Sequence, residues 1–183
     1  SVYKGEYHLF YQYYPYSTSW GPMHWGHVKT TDFIKWEWLP AALAPDESFD
    51  NGGCFSGSAV EMEDGRQLLM YTGVKEWQRP DGLIENRQMQ CVAFGDGRDY
   101  VKYGHNPVLT DADVPEDGSV LDFRDPKIWW DDEKKMYFAV VANRTADGSG
   151  AILLFGSADA LSWKRLSVLD RSRNEYGRMW ECP

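Results

Sequence analysis

The sequence predicts an all-β fold made of a repeated four-stranded unit, and three observations predict it. Short apolar runs rich in Tyr, Phe, Val and Ile recur along the chain, as at residues 7–13, 68–72, 136–142 and 151–155. Gly, Pro, Asp and Asn punctuate them, which is the pattern of strands joined by turns. Stretches with a helical period are hard to find, and the runs return in the same order about every sixty residues. Four short strands per sixty residues is the size of a propeller blade, whereas a sandwich has no reason to repeat at that length.

Each unit has a strand such as Tyr7-His8-Leu9-Phe10-Tyr11, with counterparts Leu68-Leu69-Met70-Tyr71 and Tyr137-Phe138-Ala139-Val140. A second element, a strand followed by a turn and an aromatic, spans residues 26–36, 92–103 and 154–163. Its closing aromatics are Trp36, Tyr103 and Trp163, spaced 67 and 60 residues apart. Upstream of each pair lies a third element, which begins Phe55-Ser56-Gly57-Ser58 in one unit and Phe123-Arg124-Asp125-Pro126 in the next. Trp180-Glu181-Cys182-Pro183 repeats it at the end of the sequence. Ser56 lies 12 residues before Leu68 and Asp125 lies 12 before Tyr137, so the two are equivalent in the repeat. The innermost strand of a blade lines the central channel. Ser56, Asp125 and Glu181 are therefore expected to converge on one axis. The same offset in the first unit falls four or five residues before Ser1, so the first inner strand is expected to be absent. The 183 residues read as about three blades belonging to a single domain.

Composition narrows the function. The formal net charge is −9, which argues against a protein that grips a nucleic-acid backbone and against an anionic membrane surface. Three cysteines, Cys54, Cys91 and Cys182, are too few and too scattered for a disulfide framework, and no pair has metal-ligand spacing. No apolar run is long enough to span a membrane and no signal peptide is visible; the sequence opens on Ser1. Aromatic residues make up 15% of the chain, as a β-rich core or a surface that packs rings on sugars requires. His24 and His27 read as structural or wall residues. Trp36, Trp38, Trp129 and Trp163 read as blade packing.

Hydrolysis of a glycosidic bond needs two carboxyl groups, one to protonate the leaving oxygen and one to attack the sugar or activate water. Asp125 and Glu181 are the pair that the repeat directs to one pocket. Each also has an ordinary reading, Asp before Pro as a turn and Glu181 as a solvated edge residue. Cys182, beside Glu181, reads either as a small packing residue or as a group that places the acid.

Five landmarks in order are similar to glycoside hydrolase family 32, the invertases, inulinases and sucrose-6-phosphate hydrolases. They are residues 7–15 (Tyr-His-Leu-Phe-Tyr-Gln-Tyr-Tyr-Pro), residues 20–27 (Trp-Gly-Pro-Met-His-Trp-Gly-His), residues 55–60 (Phe-Ser-Gly-Ser-Ala-Val), Phe123-Arg124-Asp125-Pro126 and Glu181-Cys182-Pro183. The resemblance implies a five-bladed propeller followed by a β-sandwich. It implies Glu181 as general acid/base and Asp125 as the carboxylate that stabilises the transition state, with Arg124 binding substrate and keeping Asp125 ionised. Gln12, Trp20, Phe55 and Ser56 would contact substrate, Trp25 would form an apolar wall, and Cys182 would border the site. The family's nucleophile, an Asp in a Trp-Met-Asn-Asp-Pro-like segment, belongs ahead of Ser1. The partner implied is a small carbohydrate, sucrose, its 6-phosphate or a fructan, with neither metal nor cofactor. Bacterial relatives lacking a signal peptide imply a cytoplasmic location. A fructosyltransferase, a carbohydrate-binding propeller without activity and a protein-interaction propeller are the competing readings; paired inward carboxylates favour the hydrolase.

Overall fold

A computed structural model describes residues 1–173 and 175–183 of the chain. They form three antiparallel sheets of four strands each, with strands in sequence order from one edge to the other. The first holds β1 (Val2–Tyr3), β2 (Glu6–Tyr13), β3 (His24–Thr30) and β4 (Glu37–Leu43). The second holds β5 (Gly53–Glu61), β6 (Gln67–Gln78), β7 (Ile84–Gly95) and β8 (Tyr100–Lys102). The third holds β9 (Gly118–Asp131), β10 (Met136–Thr145), β11 (Gly150–Ser157) and β12 (Lys164–Arg171). Among the described residues the only helical turn is a 3-10 turn at Asp111–Asp113, capped by Thr110.

The repeat is written most plainly in the turn between the third and fourth strands of each sheet. Asp32 Oδ1 accepts the N–H groups of Ile34 and Lys35 at 2.9 and 2.8 Å. Asp96 does the same for Arg98 and Asp99 at 2.9 and 3.0 Å, and Asp159 for Leu161 and Ser162 at 2.8 and 2.7 Å. An Asp side chain that caps its own turn in this way replaces hydrogen bonds the backbone has lost. The next residue, Phe33, Gly97 or Ala160, takes a left-handed φ of 58°, 91° or 61°. These aspartates mark the period better than the closing aromatics do. Trp36 and Trp163 precede the outer strands β4 and β12, but Tyr103 follows β8. The middle turn is shorter: Gly95 pairs with Tyr100, whereas Lys29 pairs with Glu37 and Gly156 with Lys164.

The second sheet is covered on both faces. Alternate residues of a strand point to opposite sides, and β6 divides its apolar run accordingly. Leu68 and Met70 join Val92, Phe123, Ile128, Val141 and Phe155 against the third sheet. Leu69 and Tyr71 join Trp25, Leu43, Cys54 and Cys91 against the first. From Leu68 to Val74 the strand is thus largely apolar, because neither face meets water there. The first strands lie innermost and pack in series, β1 against β5 and β5 against β9. Ser58 ties the last two together: its hydroxyl donates to the Pro126 carbonyl and accepts the Ile128 N–H, both at 2.8 Å.

Three expectations change. The first inner strand is not missing, since β1 pairs Val2 with Tyr7 and Tyr3 with Glu6; two residues of it are present. The segment from Trp180 forms no strand among the described residues. Trp38, expected in blade packing, sits on the outermost strand β4, 74% exposed, and meets the Tyr11 ring edge-on with centroids 6.3 Å apart. Trp129 lies stacked on Phe138 with centroids 5.7 Å apart, and Trp163 packs beside the larger core cluster.

Candidate active site

The inner strands β5 and β9 each break register at the same place. In β5, Phe55 opposes Thr72 and Gly57 opposes Tyr71, leaving Ser56 as the extra residue of a bulge. In β9, Arg124 opposes Ala142 and Lys127 opposes Val140, so Asp125 and Pro126 share one partner position. Bulges turn a side chain out of the regular alternation and are common beside active sites. Ser56 and Asp125 are therefore equivalent, as the spacing predicts, and the equivalence comes from matched bulges. Asp125 also holds a left-handed φ of 62°, rare for a residue with a side chain.

Cys182 has the same signature, φ 51° immediately before a proline. This corrects the register at the C-terminal segment: Cys182, not Glu181, matches Asp125, and Glu181 matches Arg124. Successive residues leave a backbone in different directions, and so Cys182 lines the central cavity while Glu181 does not. The cavity, about 440 Å³, is bordered by Gln12, Trp25, Ser56, Asp125 and Cys182. Tyr11, Ser58 and Lys127 also border it; sequence reading missed them, although Lys127 follows the Arg-Asp-Pro string directly.

Asp125 is 6% exposed and its Oδ2 accepts the Cys182 N–H at 3.1 Å. Cys182 thus touches the aspartate instead of tuning Glu181. Burial pushes the Asp125 carboxyl above its ordinary value; the Cys182 N–H and the Arg124 charge work against that, and Glu181 adds to it. The Arg124 charge favours ionised Asp125, the expected direction, although its guanidinium bonds to other carboxylates. One nitrogen meets Asp122 Oδ1 at 2.9 Å and the other meets Glu181 Oε1 at 2.9 Å. Asp122 is shared with Arg144 at 2.7 Å. Arg124 therefore steers Glu181, whose side chain is 64% exposed.

The aromatic wall is a short chain. The Trp25 indole donates to the Phe55 carbonyl at 3.0 Å, and the exposed Trp20 meets the Phe55 ring edge-on with centroids 5.8 Å apart. Phe55 and Trp20 stand outside the cavity lining, toward the surface, while Trp25 is buried in it. His24 and His27 are structural, as expected: His24 Nδ1 contacts the Pro22 carbonyl at 3.1 Å and His27 Nε2 contacts His8 Nδ1 at 2.9 Å. Burial pulls the His27 imidazole down to about 4. No group of His, Cys, Asp and Glu suited to a metal ion occurs among the described residues.

A buried carboxylate, a surface carboxylate steered by an arginine and an aromatic rim form a site where bond polarisation and sugar binding can coincide. Comparison with known proteins is consistent with this geometry. The model of the glycosyl hydrolases family 32 N-terminal domain matches residues 1–183. A sucrose-6-phosphate hydrolase of Zymomonas mobilis is 45% identical over 99% of this chain and 36% of its own length. A levanase of Bacillus subtilis is 39% identical over 99% of this chain and 25% of its own length. A Bombyx mori GH32 β-fructofuranosidase mutant in complex with sucrose superimposes with a TM-score of 0.85 and 43% identity, covering all of this chain and 36% of that one. The 183 residues thus span about a third of the length of these relatives, or less.

Proposed function

Because the chain belongs to glycosyl hydrolase family 32, we propose that the protein carrying it releases β-fructofuranosyl units from sucrose, sucrose 6-phosphate or a fructan, by a retaining double displacement in a five-bladed propeller. Glu181 is the general acid/base in this reading. It protonates the departing glycosidic oxygen and later takes a proton from water. Asp125 holds the fructosyl hydroxyls and offsets positive charge on the ring in the transition state. Arg124 keeps Glu181 at the mouth of the cavity. The nucleophile is a third carboxylate, expected on the inner strand of the first sheet. In register with Ser56 and Asp125 that position lies ahead of Ser1, and the 183 residues alone are therefore proposed not to turn over substrate. Gln12, Ser56 and Trp25 contact the fructosyl unit from the cavity, and Trp20 and Phe55 meet the leaving sugar at the rim.

The observation that carries this reading is the pairing of Arg124 with Glu181 at 2.9 Å beside the Cys182 N–H bond to Asp125. It ties Glu181 and Cys182, neighbours in sequence, to Arg124 and Asp125, neighbours on β9. The test is fructose release by the full-length protein carrying Glu181→Gln, from sucrose and from an aryl fructoside with a good leaving group. General acid catalysis contributes about 10²–10⁴-fold, so kcat/KM for sucrose is expected to fall by that much and the aryl fructoside to be spared. Equal loss on both substrates, with Asp125→Asn sparing the aryl fructoside, would reverse the roles of Glu181 and Asp125. Transfer of fructose to a sugar in preference to water would place the protein among fructosyltransferases. No fructose from sucrose, sucrose 6-phosphate or a fructan with the unsubstituted full-length protein would leave only a binding role.

A further inference from the structure

We propose that Thr72 and Gln90 are positioning residues that set the direction of the Asp125 carboxylate, an inference resting on the role of Asp125 given above. The Asp125 N–H does not join its own sheet. It donates across the sheet boundary to Thr72 Oγ1 on β6 at 2.9 Å. A hydroxyl has one proton, and that of Thr72 goes to Gln90 Oε1 on β7 at 2.9 Å. Gln90 is oriented in turn, because its Nε2 donates to the Phe123 carbonyl at 2.7 Å. The bonds close a circuit that leaves β9 at residue 125 and returns at residue 123. Gln88 completes it by accepting the Phe123 N–H at 3.1 Å.

Thr72 and Gln90 are fully buried, so no water competes for these bonds and each donor has one acceptor to choose. The circuit encloses Arg124, which leaves its guanidinium aimed at Glu181. Thr72 is also the ladder partner of Phe55, beside the Ser56 bulge. One hydroxyl thus stands between both bulges that deliver residues to the cavity. Without it, the left-handed Asp125 has an orphaned buried N–H, and nothing in its own sheet holds it in that conformation.

The experiment uses the full-length enzyme with Thr72→Val, Thr72→Ser, Gln90→Met, Asp125→Asn and the double variant Thr72→Val/Asp125→Asn, with circular dichroism to confirm folding. A displacement near 1 Å at a reacting group costs about 10²-fold. The expected result is a fall in kcat of roughly ten- to a hundredfold for Thr72→Val and for Gln90→Met, with KM held within about twofold. Thr72→Ser should keep kcat within about threefold. In the Asp125→Asn background, Thr72→Val should cost nothing more, since residues acting as one unit are not additive. If Thr72→Val does not fold, Gln90→Met carries the same test one bond further away. Unchanged kcat in Thr72→Val or in Gln90→Met, or full additivity with Asp125→Asn, overturns the positioning role while leaving Asp125 in place. An Asp125→Asn enzyme as active as the parent overturns the role of Asp125, and the clamp with it.

Discussion

The bulges in β5 and β9 are one backbone device used twice, and they differ in what they carry. At Ser56 the chain escapes the ladder through Gly57, where a Cβ would lie 2.0 Å from the Met70 carbonyl oxygen. At Asp125 it escapes through an aspartate in a left-handed conformation followed by Pro126. The first accommodates a close approach by omitting a side chain. The second keeps the side chain and relies on a neighbouring sheet to hold it. A hydroxyl that only needs to reach the cavity is served by a glycine; a carboxylate that must point in one direction, out of water, needs external bonds. Strain accompanies the group with the more demanding chemistry, as is usual at functional sites.

The comparison breaks most visibly in the rate. In the full-length enzyme Asp125→Asn should lower kcat/KM for sucrose by about 10²–10³-fold, the usual consequence of losing charge stabilisation. Ser56→Ala should lower it by about tenfold or less, the value of a single neutral hydrogen bond. Steady-state kinetics on the two variants decides it, and similar losses would mean that the bulges are equivalent in chemistry as well as in backbone.

Stability distinguishes the escapes next. Gly57→Ala forces a methyl group onto the Met70 carbonyl and should destabilise the fold by about 1–3 kcal/mol, the range for overpacking. Pro126→Ala should change stability by less than about 1 kcal/mol. Urea denaturation of the two variants reads the difference, and a harmless Gly57→Ala would show that β5 can slide to relieve the contact. Ser58→Ala should fall between them, at about 1–2 kcal/mol, because the change leaves the Ile128 N–H without its acceptor between the inner strands.

The smallest effect is one of sign. Burial raises the Asp125 carboxyl, so the folded state binds that proton more tightly than the unfolded chain does. Stability is then lost as pH climbs from the ordinary carboxylate value through the raised folded one. Asp125→Asn should therefore raise the melting temperature at neutral pH while lowering activity, and the advantage should vanish in acid. A variant less stable at neutral pH would mean that the Cys182 N–H bond outweighs burial. Ser56→Ala should show no such dependence, since its hydroxyl does not titrate over this range.

Much of this was readable along the chain. The strand positions follow from the alternation and the turn residues, and the equivalence of Ser56 and Asp125 follows from a spacing of 12 residues to the next strand. The turn aspartates Asp32, Asp96 and Asp159 were within the motifs that announced the repeat, yet the neighbouring aromatics were more conspicuous and kept a poorer period. Glu181 attracts the comparison with Asp125 because both are carboxylates, but the prolines Pro126 and Pro183 align Asp125 with Cys182, and the left-handed φ follows that alignment. Arg124 acts on Asp125 through its charge, while its hydrogen bonds go to Asp122 and Glu181, partners that sequence adjacency does not reveal.

The sequence by itself determined the all-β class, the four-strand unit and the family to which its motifs point, because those rest on local alternation, turn chemistry and residue type. Tertiary structure decided which of these residues meet and what holds them. The bond from Asp125 to Thr72 spans 53 residues and the pair Arg124–Glu181 spans 57. Contacts of that range follow from how one sheet stacks on the next, and the period of a strand contains no record of what the adjoining sheet offers to its bulges.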